Sequence, residues 1–208
     1  YKVDFHTHSD QLNDHYGALA TRLGLNVKTP PSMPQNRRIN SKQFVTFLRQ
    51  VSPGFGHGAR NKEVPTCILQ ADNETVAAFL STFLEGDGGV YTNPRAIIFF
   101  SSSKTLIGQI QGLLFRFGAI SRIVRQRKKG YADCYKLVVK GGSMIELAIN
   151  LSLITPRKNE KLADNLAAAP NKLRAASLDT VPHVGHFIRK IRKALGLYGY
   201  ELGLSRGT

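Results

Sequence analysis

The sequence predicts an α+β fold made of two pseudo-symmetric halves, each a succession of helices and short strand pairs. Three observations carry this expectation. A strand–helix unit at the start of the chain recurs 94 positions later. Each copy leads into two short strands and a further helix. The chain has 208 residues and 42% hydrophobic content, enough for one ordinary domain, or two small ones, with a real core.

Residues 1–9, YKVDFHTHS, alternate as a strand does, and 10–24 carry a helical pattern with Leu12, Tyr16, Leu19 and Leu23 inward, closed by Gly24. A strand at 25–29, a Pro-rich turn at 30–34, a strand at 37–41 and a helix at 42–51 follow. Residues 53–64, PGFGHGARNKEV, are a Gly-rich connector ending at Pro65. Asp72 or Asn73 then caps a helix at 74–88, and a strand at 89–94 comes next. In 95–118 the opening unit returns, as RAIIFFSSS and KTLIGQIQGLLFRFG. Phe5 falls on Phe99, Ser9 on Ser103, Leu12 on Leu106, Leu19 on Leu113, Arg22 on Arg116 and Gly24 on Gly118. Strands at 119–128 and 131–140 flank a turn at Lys129-Gly130, and a helix is expected at 143–152. Residues 160–177 read as a partly polar helix, and after Leu178–Pro182 comes a basic helix with Arg189, Lys190, Arg192 and Lys193.

Lys and Arg number 29 against 14 Asp and Glu, a formal charge of +15. Charge of that size points to nucleic acid before any other partner. An anionic membrane is the rival, but no apolar run approaches the roughly 20 residues needed to span a bilayer, and no signal peptide opens the chain. Cys67 and Cys134 are too few and too far apart for a zinc site or a disulfide framework. An intracellular protein with no membrane partner is expected.

The chemistry concentrates in Leu80-Ser81-Thr82-Phe83-Leu84-Glu85-Gly86-Asp87-Gly88. Ala78, Thr82 and Gly86 are spaced four apart, a face of small residues that lets another backbone come close. Glu85 and Asp87 sit where the helix dipole offers an acid no help. A cation arriving there, a metal ion above all, would answer both.

These nine residues resemble the LAGLIDADG motif of homing endonucleases, most closely in the form found in intein-borne enzymes. Leu80, Asp87 and Gly88 match the consensus. The resemblance covers about residues 1–160 and implies an α+β LAGLIDADG fold: αββαββα half-domains, motif helices paired at the centre, and two curved antiparallel sheets forming a saddle over duplex DNA. Residues 1–60 then hold the remainder of a first half, 61–155 the connector and second half, and 156–208 a small helical extension. Only the second half shows a motif helix, so the resemblance implies a second LAGLIDADG helix from an upstream segment or a partner chain. Asp4, Asp10 and Asp14, the acids near the beginning, fall on a strand and the next helix, away from the motif.

By the same resemblance Asp87 binds a catalytic divalent metal, Mg²⁺ or another, with help from the Gly86 carbonyl. Lys62, in Asn61-Lys62-Glu63-Val64-Pro65, matches the lysine that closes a first half and reaches the active site. Lys158 lies 96 positions on, with Lys161 as the fallback. The pair would assist, one near each scissile phosphate. The implied function is metal-dependent, site-specific double-strand cleavage of DNA. A non-cleaving DNA-binding regulator and an RNA maturase are the alternatives on the same scaffold.

The candidate DNA contacts are Arg122, Arg125, Arg127, Lys128, Lys129, Lys136 and Lys140, set against Asp133 alone in 119–140. A two-stranded ribbon fits the major groove, where Arg reads guanine and Lys or Arg holds phosphate. Lys28, Arg37 and Arg38 occupy the corresponding strands of the first half, and Arg189 and Lys190 offer a basic helix face. Val3-Asp4-Phe5-His6-Thr7-His8-Ser9 also looks like the metal-binding opening of a phosphoesterase family. That family needs more ligands around a barrel, and the repeat sets Phe100 and Ser102 opposite His6 and His8. The two histidines therefore read as outward strand positions.

Overall fold

A computed structural model describes residues 1–52, 54–127, 130, 133–168 and 185–196. Two compact units divide the chain, Tyr1–Arg174 and Ala175–Thr208. In the second unit the described element is one helix, α8 (Gly185–Ala194).

The first unit opens with β1 (Lys2–His6), α1 (Asp10–Arg22), β2 (Val27–Lys28), β3 (Asn36–Asn40) and α2 (Lys42–Val51). The connector holds a short 3-10 turn at Ala59–Asn61 and α3 (Thr66–Leu69). The second half runs α4 (Asn73–Asp87), β4 (Gly88–Thr92), β5 (Arg95–Ser101), α5 (Lys104–Phe115), β6 (Ser121–Gln126), β7 (Cys134–Val139), α6 (Gly141–Ala148) and α7 (Pro156–Ala167).

Two antiparallel sheets result, ordered β1-β3-β2 and β4-β5-β7-β6. The repeat holds down to the register. Phe5 pairs with Arg37 and Phe99 with Leu137, offsets of 94 and 100. Val27 pairs with Ile39 and Ser121 with Val139, again 94 and 100. A slip of one residue would turn every side chain to the opposite face, so matching registers mean matching faces. The helix starts repeat as well: Ser9 Oγ accepts from the Leu12 amide at 3.3 Å and Ser103 Oγ from the Leu106 amide at 3.1 Å.

The core lies in the second half. Val76, Leu80 and Leu84 of α4, Ile97 and Phe99 of β5, Ile107, Ile110 and Leu114 of α5 and Leu137 and Val139 of β7 form one cluster. The first half buries far less, with Leu12, Ala20, Ile39 and Val45 as its buried apolar residues. Leu12 and Tyr16 turn inward as expected, but Leu19 is 40% and Leu23 70% exposed. The reason is visible in the repeat. The counterpart of Leu19, Leu113, is buried in the cluster that α4 completes, and among the described residues the first half has no helix in that place. The stretch from Pro156, expected as a separate extension, begins with α7, and its Leu162 belongs to the core cluster.

Candidate active site

α4 forms because Asp72 caps it, its carboxylate accepting from the Thr75 amide at 2.8 Å, with Glu74 in the first turn. Val76, Leu80 and Leu84 repeat every four residues and bury that stripe. Ala78, Thr82 and Gly86, on another face, are exposed, with Phe79 and Phe83 half-buried beside them. At the C-terminus the helix must turn at once into β4, and Gly88 makes the turn possible: a Cβ there would lie 2.5 Å from Leu84 Cδ1 and 2.9 Å from Leu84 Cα.

Glu85 and Asp87 are two positions apart, and the helix sends them to different environments. The Glu85 side chain is 1% exposed. It accepts from the amides of Ile154 and Thr155 at 2.5 and 2.8 Å and from the Thr155 hydroxyl at 2.7 Å. These donors sit at the start of α7, so the carboxylate rests where an incoming helix favours negative charge. Lys158, one turn into α7, answers in the other direction. Its ammonium donates to the carbonyls of Leu84 and Glu85 at 2.7 and 2.6 Å and stands 3.8 Å from Glu85 Oε2. The end of α4 and the start of α7 therefore hold each other. Burial pulls the Lys158 ammonium below the ordinary lysine range, and the charges of Glu85 and Asp87 pull the other way. Tyr16 of the first half lies within the same field: burial, and then the Glu85 charge, push its phenol up.

Asp87 is left in the open. Its carboxylate faces Lys62 Nζ at 3.6 Å, with the two side chains 56% and 50% exposed. A pair so solvated adds little to folding. Lys62 is nevertheless carefully placed. Its carbonyl accepts from Ser103 Oγ at 2.6 Å, and the Val64 amide donates to Gln109 Oε1 at 2.7 Å, so the start of α5 fixes the connector on both sides of the lysine. A cleft of about 660 Å³ runs beside the pair, lined by Phe79, Thr82, Phe83 and Gly86 of α4 and by Phe55 and Gly58 of the connector.

The sequence-predicted centre of Asp87, Gly86 and Lys62 thus comes together in one place. Lys158, rather than Lys161, reaches the helix end. It meets main-chain carbonyls there, and Glu85 has backbone amides for partners rather than a metal. Both roles rest on Thr155-Pro156, a cap-and-first-turn pair that starts α7 four residues earlier than the polar pattern indicates. Ser103 and Gln109 carried no signal beyond the repeat. Ser103 is fully buried and holds both the α5 start and the Lys62 carbonyl. Ser103→Ala is expected to cost about 2 kcal/mol, about 1 for the lost cap and about 1 for the lost hydrogen bond. Urea unfolding checks this, and Ser103→Thr should recover most of the loss.

The basic residues divide by face. Parity with the buried Leu137 and Val139 puts Lys136, and opposite it on β6 Val124 and hence Arg122, on the outer side of the second sheet. Arg125 shares the core side of β6 with Ile123 and is ion-paired to Asp133. Arg38 is on the outer side of the first sheet and holds Asp4 through two hydrogen bonds at 2.7 and 3.0 Å. Arg37 sits on the side of Ile39 and donates to the Pro34 carbonyl at 3.0 Å. Lys28, Arg127, Lys140, Arg189 and Lys190 are exposed. Lys128 and Lys129 lie outside the described residues. His6 and His8 are exposed, with ring centroids 5.2 Å apart, and His6 Nδ1 lies 2.6 Å from Asn36 Oδ1. Among the described residues no group of three or more His, Cys, Asp or Glu could hold a metal, so the phosphoesterase reading has no ligand cluster to stand on. No described helix is long and apolar enough to cross a membrane.

Residues 74–150, from the start of α4 to just past α6, match the family model of the LAGLIDADG-like domain. Those residues form a LAGLIDADG-like domain. The fold of the chain is that of LAGLIDADG homing endonucleases: the structure of I-DmoI in complex with DNA and Ca superposes with a TM-score of 0.54 over 76% of this chain and 80% of that one, at 11% identity. Sequence relatives include an A-type ATP synthase subunit of Methanopyrus kandleri, 30% identical over 169 residues, 81% of this chain but 16% of that protein. A DNA gyrase subunit of Mycobacterium kansasii is 31% identical over 153 residues, 71% of this chain and 27% of that protein. The chain thus spans about a sixth to a quarter of the length of these two relatives.

Proposed function

We propose that this chain is the DNA-cleaving part of a homing endonuclease carried as an intein, acting on one long duplex site with a divalent metal, Mg²⁺ among the candidates. The observation that carries it is the solvated pair of Asp87 and Lys62, 3.6 Å apart at the end of the motif helix and beside an open cleft. An ATP synthase subunit and a DNA gyrase subunit are differently named proteins from different organisms, yet a small part of each resembles most of this chain. An inserted, mobile element accounts for that pattern.

The metal fits as a half-site. Asp87 offers one exposed carboxylate, and the Gly86 carbonyl is among the last four of a helix, which find no partner within it. Mg²⁺ is ordinarily held by one or two carboxylates, with substrate phosphates and water completing the octahedron. When bound, the metal supplies an activated water and charge neutralisation at the leaving oxygen. The protein's own residues do the rest. Asp87 and Gly86 fix the position, and Lys62 sets a cation against the charge that grows on the phosphate. Lys158 acts at one remove, holding the helix end on which Asp87 stands. Phosphate contacts come from the exposed cations Lys28, Arg122, Arg127 and Lys140 and from the half-buried Lys136.

A second LAGLIDADG helix, from an upstream segment or a partner chain, is proposed to pack on Ala78, Thr82 and Gly86. That face is exposed, and a Cβ added at Gly86 would meet nothing within 4 Å. The test is to incubate this chain with supercoiled plasmids bearing candidate sites, with Mg²⁺ and with EDTA, while its mass in solution is measured. Metal-dependent nicks from a monomer, becoming double-strand cuts when a second motif helix is supplied, are expected. DNA binding with no metal-dependent cut under any of these conditions would leave a regulator and overturn the nuclease.

A further inference from the structure

The two sheets present opposite chemistry on the same side. On the first, parity with the buried Ile39 leaves Lys2, Asp4, His6, Lys28, Asn36, Arg38 and Asn40 facing away from the helices, all of them polar. On the second, Ile97 and Phe99 face the core, so Ile98 and Phe100 face outward. The register sets Val138 beside Ile98, Lys136 beside Phe100 and Val124 beside Lys136. None of these five belongs to the hydrophobic cluster. Tyr91 completes the surface from β4, its ring laid over Gly89, where a Cβ would lie 2.8 Å from Tyr91 Cε2. The Lys136 ammonium stands 5.6 Å from the centroid of the Phe100 ring.

An apolar face set in a chain of +15 charge needs an occupant that is anionic as a whole and apolar at the point of contact. Duplex DNA meets both conditions at one feature. The C5-methyl of thymine is the apolar group on the base edges of the major groove. Both kinds of base pair set acceptors and an amino donor in that groove, but a G·C pair brings no methyl, so its polar groups would lie against these side chains with no apolar contact to offset their lost hydrogen bonds. Resting on the DNA reading above, we propose that the outer face of the second sheet, through Ile98, Phe100, Val124 and Val138, reads thymine methyls, so that the half-site beneath it is A·T-rich. Lys136 and Arg122 hold the flanking phosphates. The polar face of the first sheet reads its half-site through hydrogen bonds.

The experiment selects binding sites for the whole chain from a pool of randomised duplex DNA. The selected duplex is then remade with deoxyuridine for thymidine in one half at a time, and separately with 5-methylcytosine for cytosine. Thymines should be enriched in one half. Loss of each contacted methyl there should weaken binding about fourfold, the worth of one buried methyl-sized group. The other half should be indifferent to the exchange. Ile98→Asn and Phe100→Ser should each reduce the difference between thymidine and deoxyuridine by about the fourfold worth of one methyl. Selection of a site with no methyl dependence in either half overturns the inference and leaves DNA binding intact. Failure to bind any duplex removes the DNA reading itself. If the two substitutions leave the thymidine preference unchanged but lower the melting midpoint, the face is covered by the chain or a second copy. If they abolish binding to phosphatidylserine vesicles instead, it is a membrane surface. Either result refutes methyl recognition.

Discussion

Asp87→Asn is expected to abolish cleavage while DNA affinity and stability stay close to those of the parent. The carboxylate is more than half exposed and its ion-pair partner, Lys62, is 3.6 Å away and half exposed, so folding loses little. Affinity for DNA is dominated by phosphate contacts, and Asp87 makes none. On the proposed function the loss falls on the reaction, where an amide would replace a charged oxygen ligand. Removal of one preorganised electrostatic group from such a site costs about 10²- to 10³-fold in rate. Nicking rates at saturating Mg²⁺, filter binding and a melting curve on the same preparation separate the three quantities. Cutting at the parental rate would remove Asp87 from the active site.

Replacing Glu85 should have the larger effect on folding. Its carboxylate is almost wholly buried and takes three hydrogen bonds from Ile154 and Thr155, with Lys158 at 3.8 Å. Glu85→Ala strands two amides and a hydroxyl and removes the counter-charge of a half-buried ammonium. Breaking a buried pair by removing one partner costs about 3–5 kcal/mol. In a chain of this size that lowers the melting temperature by about 10 °C or more. Glu85→Gln retains an acceptor and should lose about half as much. Chemical denaturation measures both, and an alanine variant within about 1 kcal/mol of the parent would refute the clamp. Because Asp87 stands two residues further on, cleavage by Glu85→Gln should fall at temperatures where the protein is still folded.

The sequence made the repeat legible because strand parity and helix caps are local: Ser9 and Ser103 cap as expected, and the strands appear within a few residues of their places. Asp87 and Lys62 were legible as a motif and a connector lysine, and the chain brings them together. What sequence could not carry was long-range pairing. Glu85 looked like a second acid awaiting a cation, but its partners are 69 and 70 positions away. Arg125 counted as a free charge until Asp133, across the ribbon, took it. Leu19 has the spacing of an inward residue and no helix to face, since periodicity gives a side and says nothing of what covers it.

The hairpins of the two halves differ in reach. β2 and β3 share two rungs, at Val27 and Lys28, whereas β6 and β7 share six, from Ser121 to Gln126. The four further rungs carry the second ribbon about 13 Å beyond the first at about 3.3 Å per residue. Measured along B-form DNA, with a rise of about 3.4 Å per base pair, that is about four base pairs. On the proposed DNA-binding function, a symmetric scaffold built from matching registers would lay down a lopsided footprint, longer on the side of the second half.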